Sequence, residues 1–570
     1  GGPGPELRQP VVEHGNAAFL RRAGDVPVEA LDGKADAQAD IKFPLIANLN
    51  LSNSIIAGKV LLSDVKFKQK IKGLDVTGGS VTIEASQASV QAKGDVLVNG
   101  VQMKLEGQQI AGAEPDKQPP LRITTTLDNA DRTQLGLDVN HLVQGDIPIE
   151  VTVSQLADGS PKVQVHADLN SAEVGLRDIA WKKPAGRAAF AQFDVAKGKS
   201  DSIELQNFKV AGDNVAIEGW LSVDESNEVR EFYFPDFSLN VVSRIEVRGK
   251  LTPAKIWKIN AKGATFDGRD MFRALVSINA SDADRIKPLR PAAGIDVEAE
   301  IGTVLGHSGV SLRDVSVRMS ERNDKLTAVK ADGTLDGGQP LNVLMRQPPG
   351  QARIVYADST DAGQAFRLAG FYPNIQGGKV RLELNLDGKG AATKTGVLAV
   401  DDFKILGDPV VAEVFSGAPD SVSAGGAQTK QKVTREQFQF DHLRIPFSAG
   451  HGQFVLEESY LRGPVLGATV RGKIDHVTQR LSLGGTYVPL QGINSALCGI
   501  PIVGQIITGI KCEGLLGITY AIQGPISKPQ VVVNPFSMVA PGIFREIFEM
   551  TNPDPKVQAR DAPKPAAPVE

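Results

Sequence analysis

Residues 380–387, Val-Arg-Leu-Glu-Leu-Asn-Leu-Asp, alternate apolar and polar side chains without a break. A period of two marks a strand with one apolar and one polar face. The pattern recurs far upstream. Val163, Val165, Ala167 and Leu169 alternate with Gln164, His166, Asp168 and Asn170; Ile149, Val151 and Val153 with Glu150, Thr152 and Ser154; and Val101, Met103 and Leu105 with Gln102, Lys104 and Glu106. Because the polar phase is so regularly charged, these strands read as antiparallel with one solvated side, unlike the uniformly apolar strands of a parallel sheet.

Turn signals separate the alternating runs: Gly78-Gly79, Asn99-Gly100, Asp158-Gly159, Asp332-Gly333, Gly337-Gly338 and Gly377-Gly378. A weak theme of a strand ending near a small residue plus Gly recurs at Gly94, Gly219, Gly333 and Gly472, at irregular intervals. This argues for hairpins added to one long, twisted sheet and against a solenoid of fixed coils. The expected fold is mostly β: an elongated, twisted antiparallel sheet with a few short helices near the C-terminus. Periodicity does not say what covers the apolar face, since a second sheet and a bound apolar ligand demand the same alternation.

The chain has 570 residues, enough for several domains or one long body, and a net charge of −4. Its basic residues are dispersed, so the electrostatic footprint of a nucleic-acid binder is missing. Composition suggests parts at 1–233, 234–349 and 350–548, with Pro348-Pro349-Gly350 and residues 416–431 as joints and a disordered Pro/Ala-rich tail at 549–570. The opening Gly1-Gly2-Pro3 carries no signal peptide, so the expectation is a piece of a longer protein. Near the other end, residues 481–510 hold no charge, yet Gly492, Gly499, Pro501, Gly504 and Gly509 cut them into pieces too short for a spanning helix. Farther on, Phe536, Val539, Ile543, Phe544 and Ile547 share one side of an expected amphipathic helix, which either caps the sheet or meets a membrane surface.

Catalytic constellations are scarce. The seven histidines are scattered, and His166 and His442 fall among strand residues, where a solvated histidine is the default. Gly306-His307-Ser308-Gly309 approaches a nucleophile elbow, but its second Gly comes one residue early, and it reads as a loop. Asp401-Asp402 and Glu457-Glu458 are adjacent, so on strands each pair points to opposite faces. No metal spacing and no phosphate-binding Gly loop emerges. The expectation is a non-enzyme without catalytic residue, metal or cofactor.

Several separated motifs occur in order: Gly485 to Pro489 (GTYVP), the Gly/Pro-punctuated 493–509, Gly514 to Tyr520 (GLLGITY) and Asn534 to Gly542 (NPFSMVAPG). Upstream stand 257–269 (WKINAKGATFDGR), 361–386 (DAGQAFRLAGFYPNIQGGKVRLELNL) and 397–414, with Asp408-Pro409. Together they resemble the C-terminal domain of the AsmA-like family of bacterial envelope proteins, over about 234–548. The resemblance implies a β-sheet curled into an open groove in the periplasm, anchored in the inner membrane by missing N-terminal sequence. It further implies movement of phospholipid between inner and outer membrane. On that reading Val101, Met103, Leu105, Val151, Val153, Leu382, Leu384 and Leu386 face lipid, and Ile502, Ile506, Ile543, Phe544 and Ile547 lie at a membrane-proximal end. The alternative is a structural or assembly protein of the envelope that binds protein partners through its sheet.

Cys498 and Cys512 depart from the family pattern. In an oxidising compartment they could pair, and two reduced core thiols are the other option. If they pair, closing a loop of about fifteen residues stabilises the end segment by roughly 3 kcal/mol. Non-reducing peptide mapping of protein from the periplasm should then recover a 498–512 cross-linked peptide, and free thiols on both residues would exclude it.

Overall fold

The computed structural model describes residues 31–42, 55–67, 75–388, 394–416, 437–489 and 518–534, with internal gaps at 138, 200–201, 277–291, 451 and 465. Strand dominates. One large sheet of 27 strands does not close on itself, and three short strands form a second sheet. The chain divides into two compact units: residues 1–357 with 364–371, and residues 358–363 with 372–570.

In the first unit each strand of the large sheet pairs with its neighbours in sequence, from Leu31–Lys42 to Pro340–Arg346. One pair departs from the antiparallel expectation. Ile256–Asp267 runs parallel to Gly294–Leu305, and the helix Arg269–Val276 lies in the connection between them. Parallel neighbours need such a crossover, because a tight turn can only reverse the chain. The second unit is a purely antiparallel meander from Ile375–Asn385 to Gln530–Asn534.

The described α-helices are Asn129–Gln134, Arg269–Val276, Ala362–Ala369 and Pro409–Ser416. They sit within the sheet's connections, not near the C-terminus as expected, and the predicted helix over 536–548 lies outside the described residues. Two of the starts are legible in their chemistry. Asp128 forms a capping box with Asp131, and Asp408 accepts from the amides of Val410 and Val411, both at 2.9 Å, with Pro409 at the first helical position. No helix among the described residues is long and apolar enough to cross a membrane.

Asp267, the carboxylate of the FD pair in residues 257–269, holds the crossover. Its side chain is 3% exposed, accepts from Arg269 Nε at 2.8 Å and Nη2 at 2.7 Å, and takes a further bond from Asn240 at 3.3 Å. Its own amide donates to the buried Ser243 hydroxyl at 2.9 Å. The Arg269 hydrogen bonds outweigh desolvation and hold this carboxyl below the usual aspartate range. A depressed pKa stabilises the fold above the unfolded-state value and ceases to do so as pH falls through the native one. We expect Asp267→Asn to lower stability by about 1–3 kcal/mol at neutral pH. In thermal melts the gap to wild type should stay constant from pH 7 down to about 5 and narrow below about 4; a gap independent of pH would contradict this role.

Candidate functional site

Direct cross-strand partners share a face, so register decides whether isolated apolar positions become a surface. In the first unit one row runs through Ala35, Leu62, Val81, Gly94, Leu105, Ile123, Val151, Val165 and Phe193. A second begins at Leu121 and passes through Val153, Val163, Val195, Leu205, Leu221, Phe232, Gly249, Ile259, Val297, Met319 and Val329. No charged residue interrupts either. In the second unit Leu384, Gly396, Phe447, Leu456, Gly472, Leu483, Ile522 and Val531 form a comparable row, beside Leu382, Leu398 and Ile445.

Apart from Leu386, the residues expected to face lipid therefore fall on the apolar face of their own unit. Val101 and Met103 stand opposite Val98 and Val96, and Leu105 and Val151 belong to the first row. Val101 and Val153 are buried, and Met103, Leu105, Val151, Leu382, Leu384 and Leu386 are half-buried. Leu386 lies in a bend just past the strand Ile375–Asn385, so it does not extend the row. The flanking Arg381 and Glu383 are exposed, as alternation requires. Ile502, Ile506, Ile543, Phe544, Ile547, Cys498 and Cys512 lie outside the described residues.

Glycines occur in the apolar phase, and side chains lie over them. A Cβ at Gly249 would sit 2.3 Å from the Phe232 ring, and one at Gly396 would sit 2.6 Å from that of Phe447. At Gly485 a Cβ would approach Thr469 O to 1.9 Å and the Tyr520 hydroxyl to 2.8 Å. Tyr520 crosses this glycine to donate to Thr469 O at 2.8 Å, and burial pushes its hydroxyl pKa up. Rings thus fill the gaps that glycine leaves in the rows.

One margin of the first unit's apolar face is covered locally. Trp181, Val174, Leu176 and Val143 of the three-stranded sheet pack on Ile147, Leu169, Ala189, Val215 and Leu239. Phe272 and Leu368, from two helices, pack on the group containing Ile301, Val304, Leu312 and Leu335. Two buried cations hold the small sheet. Arg132 donates to the carbonyls of Leu127, Gly145 and Val143 at 2.8, 2.9 and 3.2 Å, and Lys183 to those of Leu169, Arg187 and Pro184 at 2.7, 2.8 and 3.2 Å. Burial lowers the pKa of both, and carbonyl oxygens supply the partners that a buried charge requires.

The opposite face is charged. Lys59 meets Glu84 at 2.9 Å, Lys209 meets Glu218 at 2.7 Å and Lys262 meets Glu300 at 3.2 Å, all well exposed and of small energetic weight. His166 is exposed and stacks on Phe190, in keeping with a solvated-face histidine. Two open depressions lie here, one of about 740 Å³ near Lys104, Thr124, Glu150 and His166, another of about 830 Å³ near Ala216, Asp236, Glu246 and Lys262. His442 is more engaged than expected: its Nδ1 is 2.5 Å from Asp401 Oδ1, Arg381 bonds the other carboxylate oxygen at 2.9 Å, and the Tyr460 hydroxyl is 3.4 Å from Nε2. The His442 hydrogen bond, then Arg381, holds the Asp401 carboxyl below its usual range. This cluster ties adjacent strands through side-chain hydrogen bonds.

The remaining catalytic candidates stay apart. Residues 306–309 form a loop between strands, with His307 Nε2 2.9 Å from Arg269 O. Asp402 has φ 55° and is exposed while Asp401 is partly buried. Glu457 and Glu458 do not point to opposite faces: both are exposed, where the register slips between Leu456 and Ser459. Among the described residues no group of three or more His, Cys, Asp or Glu could hold a metal.

Sequence reasoning missed the ring-over-glycine pairs and the buried cations. The first had a signal in glycines at apolar positions of alternating runs, such as Val247-Arg248-Gly249-Lys250-Leu251. No family model matches the chain, and no curated protein or solved structure matches it either. From the packing at Gly485 we expect Gly485→Ala to cost about 1–3 kcal/mol by overpacking, and Tyr520→Phe about 1 kcal/mol for one hydrogen bond. Urea unfolding reads both, and a neutral Gly485→Ala would contradict the close approach.

Proposed function

We propose that the apolar face forms the floor of an open groove that carries the acyl chains of phospholipid. The protein then conducts lipid between the inner and outer membranes across the periplasm, tethered at the inner membrane, and supports outer-membrane integrity without catalysing a reaction. The observation that carries this reading is the unbroken apolar register within each unit, with no charged side chain in the rows. The motifs that resemble the AsmA-like family support it independently.

Energetics say what such a floor accomplishes. An acyl chain of about sixteen carbons exposed to water costs roughly 12 kcal/mol, at about 0.8 kcal/mol for each CH₂. A floor of Val, Leu, Ile and Phe replaces the lost apolar surroundings along the route, so passage needs a stripe and not a reactive centre. A single unpaired charge on that stripe would cost several kcal/mol to desolvate and would obstruct it.

A second reading, a structural or assembly protein binding partners through its sheet, draws on the edge strand Gln530–Asn534. It carries three consecutive valines, Val532 is 53% exposed, and no strand among the described residues pairs with its outer edge. An uncharged edge of this kind is a template for another strand.

Mass spectrometry of gently purified protein separates the two, since a groove retains copurified phospholipid and a closed scaffold does not. Asp in place of Leu382 or Leu384 should impede lipid transfer between vesicles far more than Asp in place of Arg381 or Glu383. Equal loss in both sets at equal protein levels would overturn the proposal.

A further inference from the structure

The two long rows of the first unit run side by side from Ile123 and Leu121 to Phe193 and Val195, and a run of aromatic rings continues the first row into the second. Phe193 ends the first row and Phe232 lies in the second. Between them stand Phe208 and Phe234, with ring centroids 6.0 Å apart for Phe193–Phe208, 5.6 Å for Phe208–Phe234 and 5.2 Å for Phe232–Phe234. Trp257 continues the run 5.5 Å beyond Phe232. These rings are half-buried. The strands beneath are irregular: the register slips by one residue near Asn207, whose φ is 50°, and again around Pro235. Such bulges sharpen twist and re-aim side chains, and here Phe208 and Phe234 occupy them.

Resting on the lipid-path reading above, we propose that this ring run is a holding station, a binding site for the acyl portion of a phospholipid where a chain dwells longer than on the aliphatic floor. The argument is continuity and chemistry. The run lies in the same registered face as the aliphatic rows, continuing the first beyond Phe193 and meeting the second at Phe232, so whatever moves along either row comes against it. Rings add large, stiff, low-entropy contact area, about 150–250 Å² each when buried. Phe232 lies over Gly249, so the ring spans two strands where an aliphatic side chain would leave a gap. The station takes acyl chains because its rings offer no hydrogen-bonding group apart from the Trp257 indole.

The tryptophans supply the test. Trp257 ends the run, Trp220 occupies the opposite face in register with Tyr233 and Arg248, and Trp181 is buried in the covered margin. The full chain is mixed with vesicles of phosphatidylcholine carrying brominated acyl chains, which quench indole emission on contact. We expect quenching that Trp257→Phe largely removes and Trp220→Phe leaves intact, Trp181 emission reporting that each variant is folded. The combined variant Phe208→Leu, Phe232→Leu, Phe234→Leu should weaken lipid binding by about threefold or more. Lipid retained by mass spectrometry, but with quenching unaffected by Trp257→Phe, would overturn the station and leave the lipid path standing. Quenching lost instead with Trp220→Phe would place lipid on the charged face and overturn both, as would a protein that captures no lipid at all.

Discussion

Register is the constraint on which everything else in this molecule depends. Side chains alternate with a period of two, so a slip of one residue between neighbouring strands would carry an entire apolar set to the charged face. The rows through Leu105, Val151 and Val165, or through Leu384, Phe447 and Leu483, persist only because each pairing keeps the phase of the one before it. Slips do occur, among them those at Asn207, Pro235 and Asp314 and between Leu456 and Ser459, and the apolar phase resumes beyond each of these. The charged face reinforces this, because pairs such as Lys209 with Glu218 meet only in the correct register.

In the first unit the elements that cover the apolar face do so at one margin and use local chain, and in the second Val414 of the helix Pro409–Ser416 packs on Tyr487, Ile518 and Tyr520. The three-stranded sheet is inserted between successive strands of the large sheet and is held by cations whose partners are carbonyls. Trp181 donates to Asn240 at 3.1 Å, Asn240 reaches Asp267 at 3.3 Å, and Asp267 clamps Arg269. The small sheet and the crossover helix are thereby tied by one chain of hydrogen bonds, which makes the covered margin a structural hem.

Strand content and the apolar phase were legible in residues 101–106, 149–154, 163–170 and 380–385, because alternation is a local property of a half-buried strand. Four features were not. The parallel pair depends on a crossover, and pattern alone does not say on which side a returning strand will dock. The strands Val143–Gln144, Glu173–Leu176 and Trp181–Lys183 are too short to show a period. Arg132 and Lys183 carry no sign of burial in the sequence, since nothing local announces the carbonyls that gather round them. The change of phase at Asp402, across which Val400 and Phe403 are both buried while the register holds, was invisible for a different reason: a left-handed residue lets a strand skip a phase without a glycine of its own. Of the candidate surface, the member residues were legible and their continuity was not, because continuity belongs to pairing.

Within each unit the large sheet pairs each strand with a sequence neighbour, and this has a consequence for how the chain acquires its structure. Contacts that are near in sequence need little loop closure, so pairing can propagate strand by strand from any hairpin already formed. Such a ladder behaves as a one-dimensional array whose stability is approximately a sum of nearest-neighbour terms. Damage to one strand should therefore fray its vicinity before it unravels the remainder. The same property lets a polypeptide emerging from one end begin to fold before the other end exists, each new strand finding its template already in place.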